Sequence, residues 1–326
     1  MRRRDFISLL GGAATWPLAG RAQPATIPVI GYLGAGSPGA FASRLSAFRE
    51  GLGETGYVEG RNVAMEFRWA EGHHERLPAL AADLVARRVT VIVAPGGAPA
   101  ALAAKSATTT IPIVFEMGAD PIAIGLVGSL NQPGGNLTGV TSLNVEVGPK
   151  RLEILREAVP RAAAVAVLIN PTSPTADSQL RNLRAVAQPA GVQLHVLHAS
   201  IERDFDVAFA ALRQLQTDGL VISSDTFFAT HSVRLAVLTT GHGTPAIHQS
   251  RDFTLAGGLM SYGGSYPESH RQAGIYSGRI IKGEKPGELP VQQVTKLELF
   301  INLKTAKVMS ITFPPPLFAR ADGVIE

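Results

Sequence analysis

Apolar and polar positions follow two rhythms along this chain, and the rhythms take turns. Compact apolar runs at residues 28–33, 63–69, 89–94 and 111–117 read as strands. Between them the apolar spacing changes to about 3.6 residues. Segments 40–52, 75–88 (Leu77, Leu80, Ala81 and Leu84 on one face), 98–107 and 122–130 read as helices. Gly53 and Gly56, Pro95-Gly96-Gly97, and Pro133-Gly134-Gly135 punctuate them. An extended piece at 137–143 follows, and the alternation restarts. Helices are expected at 149–158, 176–187, 204–215 (capped by Asp204) and 226–239, with strands at 164–169, 192–199, 219–224 and 245–249. The remainder reads as a strand at 258–263, a long helix at 266–282 ended by Gly283, a strand at 295–302, a short helix at 304–309 and an extended tail opened by Phe313-Pro314-Pro315-Pro316.

Repeated strand–helix alternation predicts parallel sheets covered by helices on both faces. The fold class expected is α/β, with two doubly wound parallel-sheet lobes. About 300 residues exceed what one core usually serves, which also favours two lobes. The remainder is too short for a third lobe. Its first strand and long helix are assigned to the first lobe and its last strand to the second, giving residues 27–142 plus 257–284 for lobe 1 and 143–256 plus 285–326 for lobe 2. The chain would then cross near 142–144, 251–256 and 284–290, a hinge of three linkers.

The first residues carry a separate signal. Arg2, Arg3 and Arg4 form a basic start, and Arg3-Arg4-Asp5-Phe6-Ile7 fits the twin-arginine export pattern. A mildly apolar run to Leu18 and the small residues of Gly20-Arg21-Ala22 complete a signal peptide over residues 1–22, with cleavage expected after Ala22. The run is too short to span a bilayer, which takes about 20 apolar residues. Of the formal net charge of +4, this segment holds +3, so the rest of the chain is close to neutral. With no basic stripe of interleaved aromatics, nucleic-acid binding has no support. The chain has no cysteine, which removes disulfides, thiolate metal sites and a lipid-modified cysteine anchor. A free, soluble periplasmic protein is expected.

Several motifs bear on chemistry. Residues 34–39, Gly-Ala-Gly-Ser-Pro-Gly, match a dinucleotide fingerprint between a strand and a helix. The acidic residue that should end the second strand is missing there, since Glu71 follows too late, and Pro38 stiffens the loop. The simpler reading is a tight turn lining a cleft, with no cofactor. His73 and His74 are adjacent, and His195 and His198 fall on opposite faces of a strand, so no metal site is expected. Pro95-Gly96-Gly97 opens a helix whose free amides favour an anion, or it is simply a turn. Asp120 is expected to cap the next helix. Asp225 could bind a ligand cation, cap a helix, or do both. Loops after strand C-termini face the crevice of open α/β sheets. A ligand is therefore expected between Ser37, Gly96, Gly97 and Met117 on one lobe and Asn144, Asn170, Asp225 and Tyr262 at the other lobe or the hinge.

In combination, several stretches resemble the ABC transporter substrate-binding family, whose better-known members bind tryptophan or tyrosine. They include Val29 to Leu33, Phe48-Arg49-Glu50-Gly51-Leu52 with Gly56-Tyr57, Asn62 to Arg68, Leu77-Pro78-Ala79-Leu80-Ala81 and Ala103-Ala104-Lys105. Ile111-Pro112-Ile113-Val114-Phe115 with Asp120-Pro121, Asn131 to Gly139 (NQPGGNLTG), Gly257 to Gly263 and Lys282 to Pro286 extend the likeness over nearly the whole chain. The resemblance implies a type I periplasmic binding fold, uptake rather than catalysis, and an inner-membrane ABC permease as partner of a monomeric protein. The family's hydroxyl-bearing carboxylate site after the third strand is not matched, because Gly96-Gly97-Ala98-Pro99 stands there. Two other classes compete: a periplasmic cofactor-dependent oxidoreductase, which twin-arginine export would suit, and a ligand-sensing partner of a membrane receptor.

Overall fold

The structure is a computed structural model and describes residues 27–326; the expected signal segment lies outside the described residues. The first lobe is built in chain order from β1 (Val29–Gly34), α1 (Ala42–Glu54), β2 (Ala64–Trp69), α2 (Leu77–Ala86), β3 (Val91–Ala94), α3 (Gly97–Ala107), β4 (Ile113–Met117) and β5 (Leu137–Thr141). The second follows with α4 (Gly148–Ala158), β6 (Ala164–Ile169), α5 (Ala176–Ala187), β7 (Gln193–His198), α6 (Asp204–Leu215) and β8 (Gly219–Ile222). It continues through α7 (Thr226–Thr230), α8 (Ser232–Gly241), β9 (Ala246–His248), α9 (Arg251–Leu255) and β10 (Met260–Gly264). The chain then returns to the first lobe for α10 (Tyr266–Ile281) and β11 (Gln292–Gln293). It ends in the second with β12 (Leu297–Asn302), α11 (Leu303–Val308), α12 (Pro315–Ala319) and β13 (Gly323–Ile325).

The sheet orders are β11-β5-β4-β3-β1-β2 and β13-β12-β10-β9-β8-β6-β7. All pairs are parallel except β10 with β12. Side chains alternate across each sheet, as the two-residue strand period requires. In β1, Ile30 and Tyr32 enter the core under α1 and α10, while Leu33 enters the core under α2 and α3.

Four expectations are corrected. The strand expected at 258–263 does not complete lobe 1: β10 pairs with β9 and β12 in the second sheet. Conversely, residues 285–294 belong to lobe 1, where Leu289 and Val291 are buried and Gln292 pairs with Val140. The crossings therefore fall at residues 142–147, 264–265 and 294–296. The first agrees with the expected linker; the other two begin 13 (264 against 251) and 10 (294 against 284) residues later, because helix α10 travels without its strand. The helix expected at 122–130 is instead a run of turns. Gly125 takes φ +69°, and Lys105 Nζ donates to the carbonyls of Gly125 (2.7 Å) and Leu126 (3.0 Å). The tail forms α12 and β13 rather than staying extended.

Helix α10 reaches lobe 1 by pressing against α1. A Cβ on Gly51 would overlap the carbonyl of Arg271, and one on Gly274 would overlap the carbonyl of Phe48. The helices thus meet backbone to backbone, which only residues without side chains allow. Gly274→Ala should lower unfolding stability by about 1–3 kcal/mol, the usual cost of overpacking. Urea denaturation of the variant checks this, and an unchanged midpoint would refute the close approach.

Candidate functional site

In each sheet the strand order reverses at one point, between β1 and β3 in the first and between β6 and β8 in the second. Loops leaving the two strands at such a point diverge and open a crevice. The two crevices face each other. Thr226 Oγ1, at the start of α7, donates to the Gly96 carbonyl at 3.2 Å and joins the lobes directly. A Cβ on Gly97 would lie 2.6 Å from Thr226 Oγ1, and one on Gly36 would lie 2.8 Å from Thr230 Oγ1. The opposite lobe comes that close to both glycines, and at Gly36 the Phe41 ring of its own lobe crowds the same space. Gly97 also adopts φ +74°, which a side chain would oppose.

The cleft between the lobes bounds about 460 Å³ of empty space, its mouth included. Behind it lies a chamber of about 360 Å³, and Arg44, Gln249 and Tyr266 line both. On the lobe 1 wall, Arg44 is buried with its guanidinium over the rings of Tyr266 (4.0 Å) and Phe41 (4.7 Å). Glu116, the penultimate residue of β4, is also buried; Ser269 Oγ donates to it at 2.8 Å. Burial pushes its carboxyl up to about 7, against the Ser269 hydrogen bond and the Arg44 charge. His270 Nε2 lies 3.9 Å from Glu116, a separation typical of ion pairs. Burial also pushes His270 down to about 3, so its ring is neutral and the 3.9 Å separation is not an ion pair. His270 Nδ1 lies 2.8 Å from the Tyr266 carbonyl, which makes Nδ1 the protonated nitrogen.

On the lobe 2 wall, Asp225 is the N-cap of α7. Its Oδ1 accepts from Phe227 N (2.8 Å) and from Asn170 Nδ2 (3.2 Å). Gln249 Nε2 donates to the Asp225 carbonyl at 3.2 Å. Beneath this wall sits Arg151, fully buried and paired with no carboxylate among the described residues. Its Nη1 donates to the Tyr262 carbonyl (3.1 Å), and its Nη2 to the Asn144 carbonyl (2.7 Å) and to Ser224 Oγ (2.6 Å). Burial pushes it down to about 10.

Among the residues expected at the site, Gly97, Met117 and Asp225 line the cleft. Gly96 is at its edge as the acceptor from Thr226. Asn170 stands behind Asp225 and holds it. Asn144 lies in the first crossing, where its Oδ1 accepts from Gly264 N (2.8 Å) and so ties two crossings together. Ser37 sits in the turn before α1, its carbonyl accepting from Phe41 N, and does not line the cleft. Tyr262 packs its ring on the second-lobe core and offers only its carbonyl, to Arg151. The sequence reading missed Arg44, Glu116, Gln249 and Tyr266. A signal existed for Arg44: it falls on the buried stripe Phe41, Leu45, Phe48 of α1, where an arginine is out of place.

Two parallel-sheet lobes of matching strand order, three crossings and a polar cleft between them define a two-lobed clamp of the type I periplasmic binding class. The chain belongs to a family within it: the model of the ABC transporter substrate binding protein family matches residues 37–325. It is similar to a tyrosine-binding protein of Clostridioides difficile (strain R20291), with 25% identity over 81% of this chain and 75% of that protein. A conserved domain protein of Vibrio cholerae has a similar structure, with TM-score 0.84, 28% identity, and 91% of this chain and 99% of the other covered. So does the ABC domain from Streptococcus pneumonia in complex with L-Trp, with TM-score 0.82, 24% identity and coverage of 91% and 99%.

Glu116 gives the site a pH signature. Its folded pKa is raised from 4.5 to about 7, so its contribution to stability is fully present below about pH 4.5 and is lost as pH rises through about 7. His248 and His270, held down to about 3, act oppositely: their contribution is present above about pH 6.5 and fades as pH falls. The stability of the wild type relative to Glu116→Gln isolates the carboxyl. That difference should fall by of order 2 kcal/mol between about pH 5 and pH 8 in urea titrations. A difference independent of pH would mean that Glu116 is ionised in the fold.

Proposed function

We propose that this protein is the exported, periplasmic solute-binding component of an ABC importer, closing as a monomer on one small organic ligand for an inner-membrane permease. The observation that carries the reading is a polar cleft walled by both lobes, with Thr226 of one lobe bonded to Gly96 of the other. A ligand seated there touches both lobes only when they are closed, so binding favours closure. The protein acts by binding, without a chemical step. An amino acid or another small carboxylate is the ligand proposed, in keeping with the tyrosine and L-Trp named for two similar proteins. Gly97, Met117 and Asp225 would touch it, with Gly96 holding the lobe contact, Asn170 holding Asp225 and Asn144 serving the hinge.

Export rests on Arg3-Arg4-Asp5-Phe6-Ile7 and the twin-arginine machinery that such a pattern addresses. No helix among the described residues is long and apolar enough to cross a membrane. Changing Arg3 and Arg4 to Lys should strand full-length precursor in the cytoplasm, read by fractionation and immunoblotting. Normal periplasmic accumulation of processed protein would refute that route.

Asp225→Ala tests the clamp. Loss of the cap should lower stability by about 1 kcal/mol. Loss of a contact in the desolvated cleft should also weaken binding of L-tyrosine or L-tryptophan by about 1–3 kcal/mol in calorimetric titration. Lowered stability with unchanged affinity would confine Asp225 to capping.

A further inference from the structure

Helix α7 carries lobe 2 onto lobe 1. Thr226 Oγ1 donates to the Gly96 carbonyl at 3.2 Å, and outside the three crossings this is the one hydrogen bond between the lobes among the described residues. One turn on, Thr230 Oγ1 donates to the Thr226 carbonyl at 2.8 Å, and a Cβ on Gly36 would come within 2.8 Å of that same hydroxyl. The helix is firmly seated. Phe227 and Phe228 are buried in the second-lobe core and pack on Phe205, with ring centroids 5.3 and 6.3 Å away. At Gly36 and Gly97 it meets backbone rather than side chain, so the contact has little give.

The contact lies well away from the crossings. In the first sheet β3 is two strands and β1 three strands from β5, from which the first crossing leaves. At about 4.8 Å per strand, α7 touches lobe 1 roughly 10–15 Å from the hinge, and a wedge of about 1.5 Å there would swing the lobes apart by roughly 7°. Neither Thr230 nor Gly36 lines the cleft or the chamber. We infer that α7 is a closing latch, with Thr230 and Gly36 as positioning residues that set the affinity for every ligand from outside the cleft, by fixing how much of the protein is closed. The inference rests on the solute-clamp reading and adds what holds the clamp shut. Apparent affinity is the affinity of the closed form scaled by the fraction closed. A residue that changes only that fraction weakens all ligands by one factor, whereas a residue that touches the ligand weakens them unequally.

The test uses the signal-processed protein. Thr230→Leu puts a bulkier side chain against the Gly36 turn, and Thr230→Ser keeps the hydroxyl without the bulk. In calorimetric titration with L-tyrosine and L-tryptophan, Thr230→Leu should weaken both by about tenfold, with their affinity ratio within about twofold of wild type. Thr230→Ser should bind both as wild type does. Misfolded protein would lower the stoichiometry and not the affinity of the remainder. The chain has no cysteine, so Glu75→Cys and Arg203→Cys, exposed just beyond the edge strands β2 and β7, take spin labels at those two places only. In the unliganded protein Thr230→Leu should lengthen the mean distance between the labels, and Thr230→Ser should not. Unequal losses for the two amino acids would mean that Thr230 acts on the ligand, and would overturn the inference. Unchanged affinities, or an equal loss without lengthening, would overturn it too, while leaving the clamp standing. Binding of neither amino acid by the wild type would count against the ligand proposed for the clamp, and the label distances would then decide the latch alone.

Discussion

The backbone contact between α1 and α10 is the constraint on which the molecule depends. The strand that leads into α10 stays in the second sheet, so the helix alone must carry the chain back to the first lobe. It can do so because Gly51 and Gly274 let the two helices meet without side chains between them, and Gly278 leaves room for the Thr55 side chain. The site inherits its geometry from that contact. Arg44 lies in the first turn of α1 and Tyr266 at the first position of α10, and their stacking follows from the helix crossing. The same placement brings Ser269 and His270 beside Glu116 near the end of β4.

Much of this architecture is legible in the sequence, because strand and helix periods state themselves wherever one face is buried. Both sheets, the hinge of three crossings and the first crossing itself follow from that pattern. The second and third crossings do not, since periodicity says that residues 260–264 form a strand without saying which sheet accepts it. Only pairing of Met260 with Ile247 and Ile301 decides that. Residues 122–130 read as a helix because Ile122, Leu126, Val127 and Leu130 are apolar at helical spacing, but Gly125 at φ +69° breaks it into turns.

The candidate site was half legible for a related reason. Loops after strand C-termini point at the crevice, which gives Gly97, Met117 and Asp225. Residues that reach the cleft from helices escape this rule. Arg44 and Arg151 each stand on the buried stripe of an otherwise amphipathic helix, beside Leu45 and Phe48 in α1 and beside Leu152 and Leu155 in α4. An arginine on an apolar stripe marks a place where the interior is polar, whether it serves a cleft or a hinge.

Arg151 has a mechanical consequence. One planar cation holds the Asn144 carbonyl in the first crossing and the Tyr262 carbonyl two residues before the second. Asn144 is itself bonded to Gly264, so both linkers are clamped to the second lobe as one block. Torsional compliance is left on the first-lobe side, and there Leu143 holds φ +49°, a conformation that a branched side chain adopts only under restraint. Opening the lobes would then unwind Leu143 while the linkers stay fixed to their block, so the protein bends like a door on a stiff jamb with its spring in the leaf.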